Sequence, residues 1–187
     1  MTSSKIRYLV LVLAVLCLQQ AIADVYRIDT QGAHAFVRFK ASHLGYSYIY
    51  GRFNSFSGQF EYDTDNPSSA SVQVVIDAQS IDSNHAERDR KLRSADFFDV
   101  EAFPEITFSS TAVTESGVDE ITIEGNLTLR GITRTVTLEG NHIGHGKDPW
   151  GGYRRGLEAS VMLYAGDYGL PSWIGDVQVD LVVEGIR

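Results

Sequence analysis

Cysteine is almost missing from this chain of 187 residues: Cys17 is the only one, and it falls within the first 23 positions. One thiol excludes an intrachain disulfide, a cysteine-ligated zinc site and an iron–sulfur cluster. Basic charge is also in short supply, with 16 Lys and Arg against 24 Asp and Glu and a formal charge of −8. A nucleic-acid binder needs a basic face to neutralise phosphates, so that class is disfavoured, as is docking on an anionic membrane surface. Proline is scarce (four residues) and no tract is of low complexity, which excludes a proline-rich spacer. The longest uncharged apolar run, Tyr8 to Leu18, falls short of the ~20 residues that a membrane-spanning helix needs. Enzyme signatures are missing too: there is no G-x-S-x-G elbow, no H-E-x-x-H and no phosphate loop.

What is present begins with a leader. Lys5 and Arg7 precede the apolar run, and Ala21-Ile22-Ala23 forms a small-residue cleavage signal before Asp24. This tripartite pattern is that of a secretory signal peptide cleaved after Ala23, leaving residues 24–187 as one domain. The mature part then has no cysteine and carries 14 basic against 24 acidic residues, a formal charge of −10. It must hold together by a hydrophobic core, for which its length suffices.

The dominant period is two. Ala35, Val37, Phe39 and Ala41 share one face of a segment whose other face carries Arg38, Lys40 and Ser42, with Phe36 an apolar residue on the polar side. Val72, Val74 and Ile76 repeat the pattern, as do Ile121, Ile123, Leu127 and Leu129 with Gly125 among them. Val136 and Leu138, then Leu157, Ala159, Val161 and Leu163, then Val177, Val179, Leu181 and Val183, continue it. Successive side chains of a strand point to opposite faces, so these are half-buried strands. Leu129-Arg130-Gly131-Ile132 reads as a tight hairpin with Gly131 at its tip. Gly144 to Gly156, with five glycines, reads as the longest interruption. One segment departs from the period: Asn84 as N-cap and Glu87 three residues on predict a short charged helix over 85–94. Eight or more short strands and one small helix give an all-β sandwich or barrel. A barrel of ~8 strands is either filled by its side chains or holds one small ligand, and the pattern fits both.

Ordered motifs narrow this further. His34, Val37-x-Phe39, His43-Leu44-Gly45, Gly51-x-Phe53 and Phe56-x-Gly58 come first. Ser80-Ile81-Asp82-Ser83-Asn84, Arg88-Asp89, Leu92-Arg93-Ser94 and Asp96-Phe97-Phe98 follow, with Pro104. Ile106-Thr107-Phe108-Ser109-Ser110 and Gly125-Asn126-Leu127-Thr128-Leu129-Arg130-Gly131 complete the series. Over essentially the whole mature length this order resembles the YceI-like family of exported proteins. Departures are Ala35 where the family usually has Ser, Ser83 where it usually has Thr, and Tyr164 where a basic residue often precedes Asp167-Tyr168-Gly169.

The resemblance implies an extended antiparallel, lipocalin-like β-barrel in the periplasm, with an elongated apolar tunnel for a polyisoprenoid, an isoprenoid quinone or another long-chain amphiphile. It implies no enzymatic activity, no cofactor and no metal, and makes a homodimer conceivable. The expected tunnel lining is Val37, Phe39, Ile49, Phe53, Val74, Ile76, Ile106, Phe108, Leu127, Leu129, Val136, Leu138, Leu157 and Ala159, with Trp173 shaping one mouth. His43 follows Ala41 on the apolar face and is expected to point inward, either toward a ligand head group or as a hydrogen-bonded core histidine. Two rival readings remain. An enzyme acting on a lipid-linked substrate requires a titratable cluster inside the barrel that includes His43. An interaction scaffold requires a filled interior and an apolar patch outside.

Overall fold

The computed structural model describes residues 23–32 and 34–187. The signal peptide expected over residues 1–23 therefore lies outside the described residues except for Ala23. Among the described residues eleven strands form one antiparallel sheet: β1 (Asp24–Ile28), β2 (Phe36–His43), β3 (Ser47–Phe53), β4 (Phe56–Tyr62), β5 (Ser71–Asp77), β6 (Ile81–Asp82), β7 (Glu105–Ser116), β8 (Glu120–Leu129), β9 (Ile132–Lys147), β10 (Tyr153–Tyr164) and β11 (Asp176–Ile186). Eight of them close a ring in the order β1-β4-β5-β7-β8-β9-β10-β11, sealed by Arg27 and Ile28 of β1 against Ile186 and Gly185 of β11. The strand β11 is shared: its first half, Val177–Val182, pairs instead with Ala41–Phe36 of β2. From there β3 and the short β6 extend the sheet beyond the ring. The barrel is thus closed at one end and flared at the other.

Period two carries the core. Val74, Ile76, Ile106, Ile121, Ile123, Leu127, Leu129 and Leu138 are all buried on the inner face. Phe36 is exposed, as its place on the polar face requires. The β8–β9 hairpin turns on Arg130 and Gly131, with φ of +51° and +70°. Two positive φ values in a two-residue loop are the twist-matched solution for a hairpin. Arg130 adopts this conformation while its guanidinium donates to the Gly169 and Ala95 carbonyls, which anchors the turn to the flared end.

Two local expectations are corrected. The glycine-rich stretch 144–156 is mostly strand: β9 runs to Lys147, and Gly144 pairs with Gly156 across from β10. Ladder hydrogen bonds override the weak strand propensity of glycine, and the irregularity shrinks to a bulge at Gly156/Leu157 and the turn 148–152. The helix α1 spans Ala86–Arg93, but its N-cap is His85, whose Nδ1 accepts from the Arg88 amide at 3.2 Å. Asn84 stands one residue earlier, with φ +62°, a left-handed conformation that asparagine tolerates well. Glu87 is consequently one position short of a capping box. The helix is tied to the sheet through Ser83: buried Asp89 accepts from its amide at 2.8 Å and from its hydroxyl, and Arg88 donates to its hydroxyl and carbonyl oxygens at 2.7 and 2.6 Å.

Candidate ligand chambers

Inside the barrel are two apolar chambers that share Phe53, Leu129, Leu163 and Val179 as walls. The inner chamber, about 130 Å³, lies within the closed ring and is walled by inward positions of all eight ring strands, joined by Val37 of β2 and Phe53 of β3. Val37, Phe53, Val74, Ile76, Ile106, Phe108, Leu127, Leu129, Val136, Leu138, Leu157 and Ala159 line it. The outer chamber, about 230 Å³, fills the flare between β2–β3, α1 and the segment 165–174. Phe39, Ile49 and Trp173 line it, with Leu92, Phe97, Phe98, Tyr168 and Leu170. Along β11, Val177, Val179, Leu181 and Val183 run from the outer chamber to the inner one, ~20 Å of strand at ~3.3 Å per residue.

Glycine sets the shape of the void as much as the apolar residues do. The Phe108 ring lies over Gly125, where a Cβ would come within 2.4 Å of its Cζ. The Phe39 ring lies over Gly51, where a Cβ would come within 2.2 Å. Both rings pack against the wall in space that these two positions leave free by carrying no side chain.

The charged groups are kept out of this space. In the walls of the inner chamber the only ionisable residue is Glu158, whose side chain is on the exposed face of β10. In the outer chamber Arg88 is bound to Ser83 and Lys91 to Asp96, leaving the walls apolar. Tyr168 backs this chamber with a buried hydroxyl that has no partner among the described residues, and burial raises its pKa.

His43 departs from the expectation. It is exposed and lines neither apolar chamber; it borders a shallow polar recess with Ser47, Tyr48, Asn84 and Arg88. The reason lies in the register: β11 pairs with β2 only as far as Ala41, so His43, two residues on, projects past the end of that pairing and outside both chambers. The enzyme reading loses the histidine it needed inside.

Polar chemistry concentrates at the closed end. Tyr26 and Phe60 stack at 5.0 Å, and the buried Arg155 guanidinium sits 3.8 Å from the centre of the Tyr62 ring. Tyr62 donates to Glu115 Oε1 at 2.6 Å, and His142 Nε2 lies at 2.6 Å from the same oxygen. Burial, and then Glu115, push the Tyr62 hydroxyl up to about 12. Nearby, Asp29, His34 and Glu184 converge closely enough to suggest a cation site. The Arg154 guanidinium already lies between them, donating to Asp29 at 2.9 Å, to Glu184, and through Nε to Asp148 at 2.9 Å. This is an ion-pair node that clasps β1, the β9–β10 turn and β11, and a metal ion would have to displace it.

The side chains that sequence periodicity could not supply come from non-strand segments. Leu92 lies in the last turn of the helix and Phe97 and Phe98 follow it, while Tyr168 and Leu170 sit in a short 3-10 turn and the bend after it, where no period of two applies. The Phe97-Phe98 pair in the family-like motif Asp96-Phe97-Phe98 was the available signal.

The comparisons with known proteins agree with this geometry. The model of the YceI-like domain matches residues 26–185. A UPF0312 protein of Pseudomonas aeruginosa (strain LESB58) is 51% identical over 172 residues, covering 90% of each chain. A UPF0312 protein of Shewanella sp. (strain ANA-3) is 48% identical over 171 residues, covering 89% of this chain and 90% of the relative. Among solved structures, Burkholderia cenocepacia BcnA superposes with a TM-score of 0.75 at 22% identity, covering 84% of this chain and 98% of its own. A polyisoprenoid-binding domain from Saccharophagus degradans, implicated in plant cell wall breakdown, gives 0.61 at 19% identity, covering 88% and 98%. At such identities the structural matches establish the barrel fold, and the sequence matches establish the kinship: the chain belongs to the YceI-like family.

Proposed function

We propose that this chain is an exported binding or carrier protein for a single long-chain amphiphile, a polyisoprenoid or an isoprenoid quinone, and that it catalyses no reaction. The observation that carries the reading is the pair of apolar chambers with four walls in common. Burying one CH₂ group contributes ~0.8 kcal/mol, so about ten of them contribute ~8 kcal/mol before costs. Association itself costs about 4–15 kcal/mol. A short chain in one chamber therefore binds weakly, and a chain that threads both binds well, with no charged contact required. The likeness to the Saccharophagus polyisoprenoid-binding domain supports the ligand class. The leader ending at Ala23 supports export to the periplasm.

The test is a titration of the purified protein with isoprenoid alcohols and quinones of increasing tail length. Affinity should climb with each added unit until both chambers are filled and then level off, with one ligand per barrel. A saturating ligand at 100 times Kd should add about 2.7 kcal/mol of stability. Affinity that is low and independent of tail length would reject the carrier reading in favour of a scaffold.

A further inference from the structure

The flared end carries a second feature that tunnel lining leaves unexplained. The β2–β3 hairpin turns on Leu44 and Gly45, with φ of +54° and +77°. Glycine suits such a turn, and asparagine tolerates it. A leucine held there is strained. Packing does not account for it, since Leu44 is 74% exposed. Next to it Tyr46 is 86% exposed, and Tyr48 and Tyr50 follow on the outer face of β3. Register places Lys40 opposite Tyr50 and Arg38 opposite Arg52 on the same face, and the Lys40 ammonium sits 4.2 Å over the Tyr48 ring. Arg52 is paired with Asp82 at 3.7 Å and Arg38 stands opposite Asp180, so near the turn the face is aromatic with Lys40 as its cation. It is continuous with the chamber: Ile49 of the same strand and Trp173, also 74% exposed across the opening, both line the outer chamber.

We propose that this hairpin docks the open end of the barrel on a phospholipid surface. Leu44 and Tyr46 enter the interface, and Lys40, the cation of this face nearest the turn, meets the headgroup phosphates. Tyrosine and tryptophan settle at bilayer interfaces because one end of the ring is apolar and the other is wet. Cations on alkyl stems reach outward past the apolar contact. The fit is to zwitterionic lipid, since the whole chain is acidic and an anionic leaflet repels it. That this end also delivers cargo rests on the function proposed above. The docking itself does not.

The experiment is flotation of the purified protein with phosphatidylcholine vesicles, at low and at high salt. Alongside it runs uptake of a fluorescent long-chain probe in the absence of vesicles. The wild type should float, less so at high salt. The Leu44→Ser/Tyr46→Ser variant should partition about tenfold or more weakly, because it loses two apolar contacts. Its probe uptake should be unchanged, since neither residue lines a chamber. In a Trp150→Phe background the remaining Trp173 emission should shift to the blue on vesicles. A wild type that stays with the aqueous layer, or a variant that floats equally well, overturns the proposal. So does a sedimentation profile showing a dimer that the double substitution dissolves, which would make the patch a self-association surface. Flotation without probe uptake would keep the docking and remove the carrier reading.

Discussion

Replacing Gly125 by alanine should narrow the inner chamber without touching its other walls. A methyl group there would lie 2.4 and 2.6 Å from two atoms of the Phe108 ring and 2.7 Å from the Ser109 carbonyl oxygen. Carbon atoms at ease sit ~3.5–4.0 Å apart, so the ring must retreat by about 1 Å or more. The ring can give way only toward the chamber, while the Ser109 carbonyl belongs to β7 and moves little. Overpacking a core costs about 1–3 kcal/mol, and open space beside the ring favours the lower half of that range. At ~2–4 °C per kcal/mol for a domain of this size, thermal unfolding should fall by about 2–8 °C. A displaced ring excludes two or three CH₂ groups of cargo, ~2 kcal/mol, or about thirtyfold in affinity for a long-chain probe. Adding Phe108→Leu removes the bulk in conflict and should restore part of both losses, with a coupling of ~0.5–3 kcal/mol in the double-mutant cycle. Calorimetry and probe titration on the four proteins decide the matter. A folded Gly125→Ala protein with undiminished affinity would mean that cargo does not pass Phe108. Additive effects in the cycle would mean that the ring and the methyl group do not meet.

Three further outcomes follow from the same geometry. Val179→Trp, placed where the two chambers share a wall, should weaken a long probe tenfold or more while sparing a short one that fits a single chamber, as read by competition titration. The Gly32 amide and then Arg154 hold the Asp29 carboxyl below the ordinary carboxylate range. Its stabilisation is therefore present above the unfolded value of 3.8 and is lost as pH falls below it; Arg154→Gln should flatten that acid limb in pH-dependent melts. Tyr62, raised to about 12, stays neutral where an unfolded tyrosine ionises, so it stabilises the fold below pH 10 and that stability drains away between 10 and about 12. Tyr62→Phe should lose the corresponding step in an alkaline melt series, with one late-titrating phenolate fewer by absorbance.

Much of the barrel could be read from residues because a strand reports its buried face with period two. Every expected lining residue except His43 stands in a chamber wall, from Val37 on β2 to Ala159 on β10. His43 fails for a reason that no single strand contains: its face is correct, but the neighbouring strand has already ended. The reach of β9 through Gly144 and Gly146 was hidden likewise, since the partner β10 supplies the order that glycine lacks. Leu92, Phe97 and Tyr168 carry no periodic signal, because a helix end and two turns bring them to the wall. A hollow interior was also beyond the pattern. Val, Ile, Leu and Phe at these positions would serve equally well to fill a barrel, and only the packed structure, with Phe39 and Phe108 set against glycines, reveals the two chambers.

Mass spectrometry of the protein purified gently from the exported fraction, intact and after solvent extraction, separates a loaded carrier from an empty scaffold. One isoprenoid or quinone per barrel is expected, released on unfolding and retained less well by Val179→Trp. A protein that is empty as isolated and takes up no added long-chain isoprenoid would contradict it, and the chambers would then be packing voids of a scaffold.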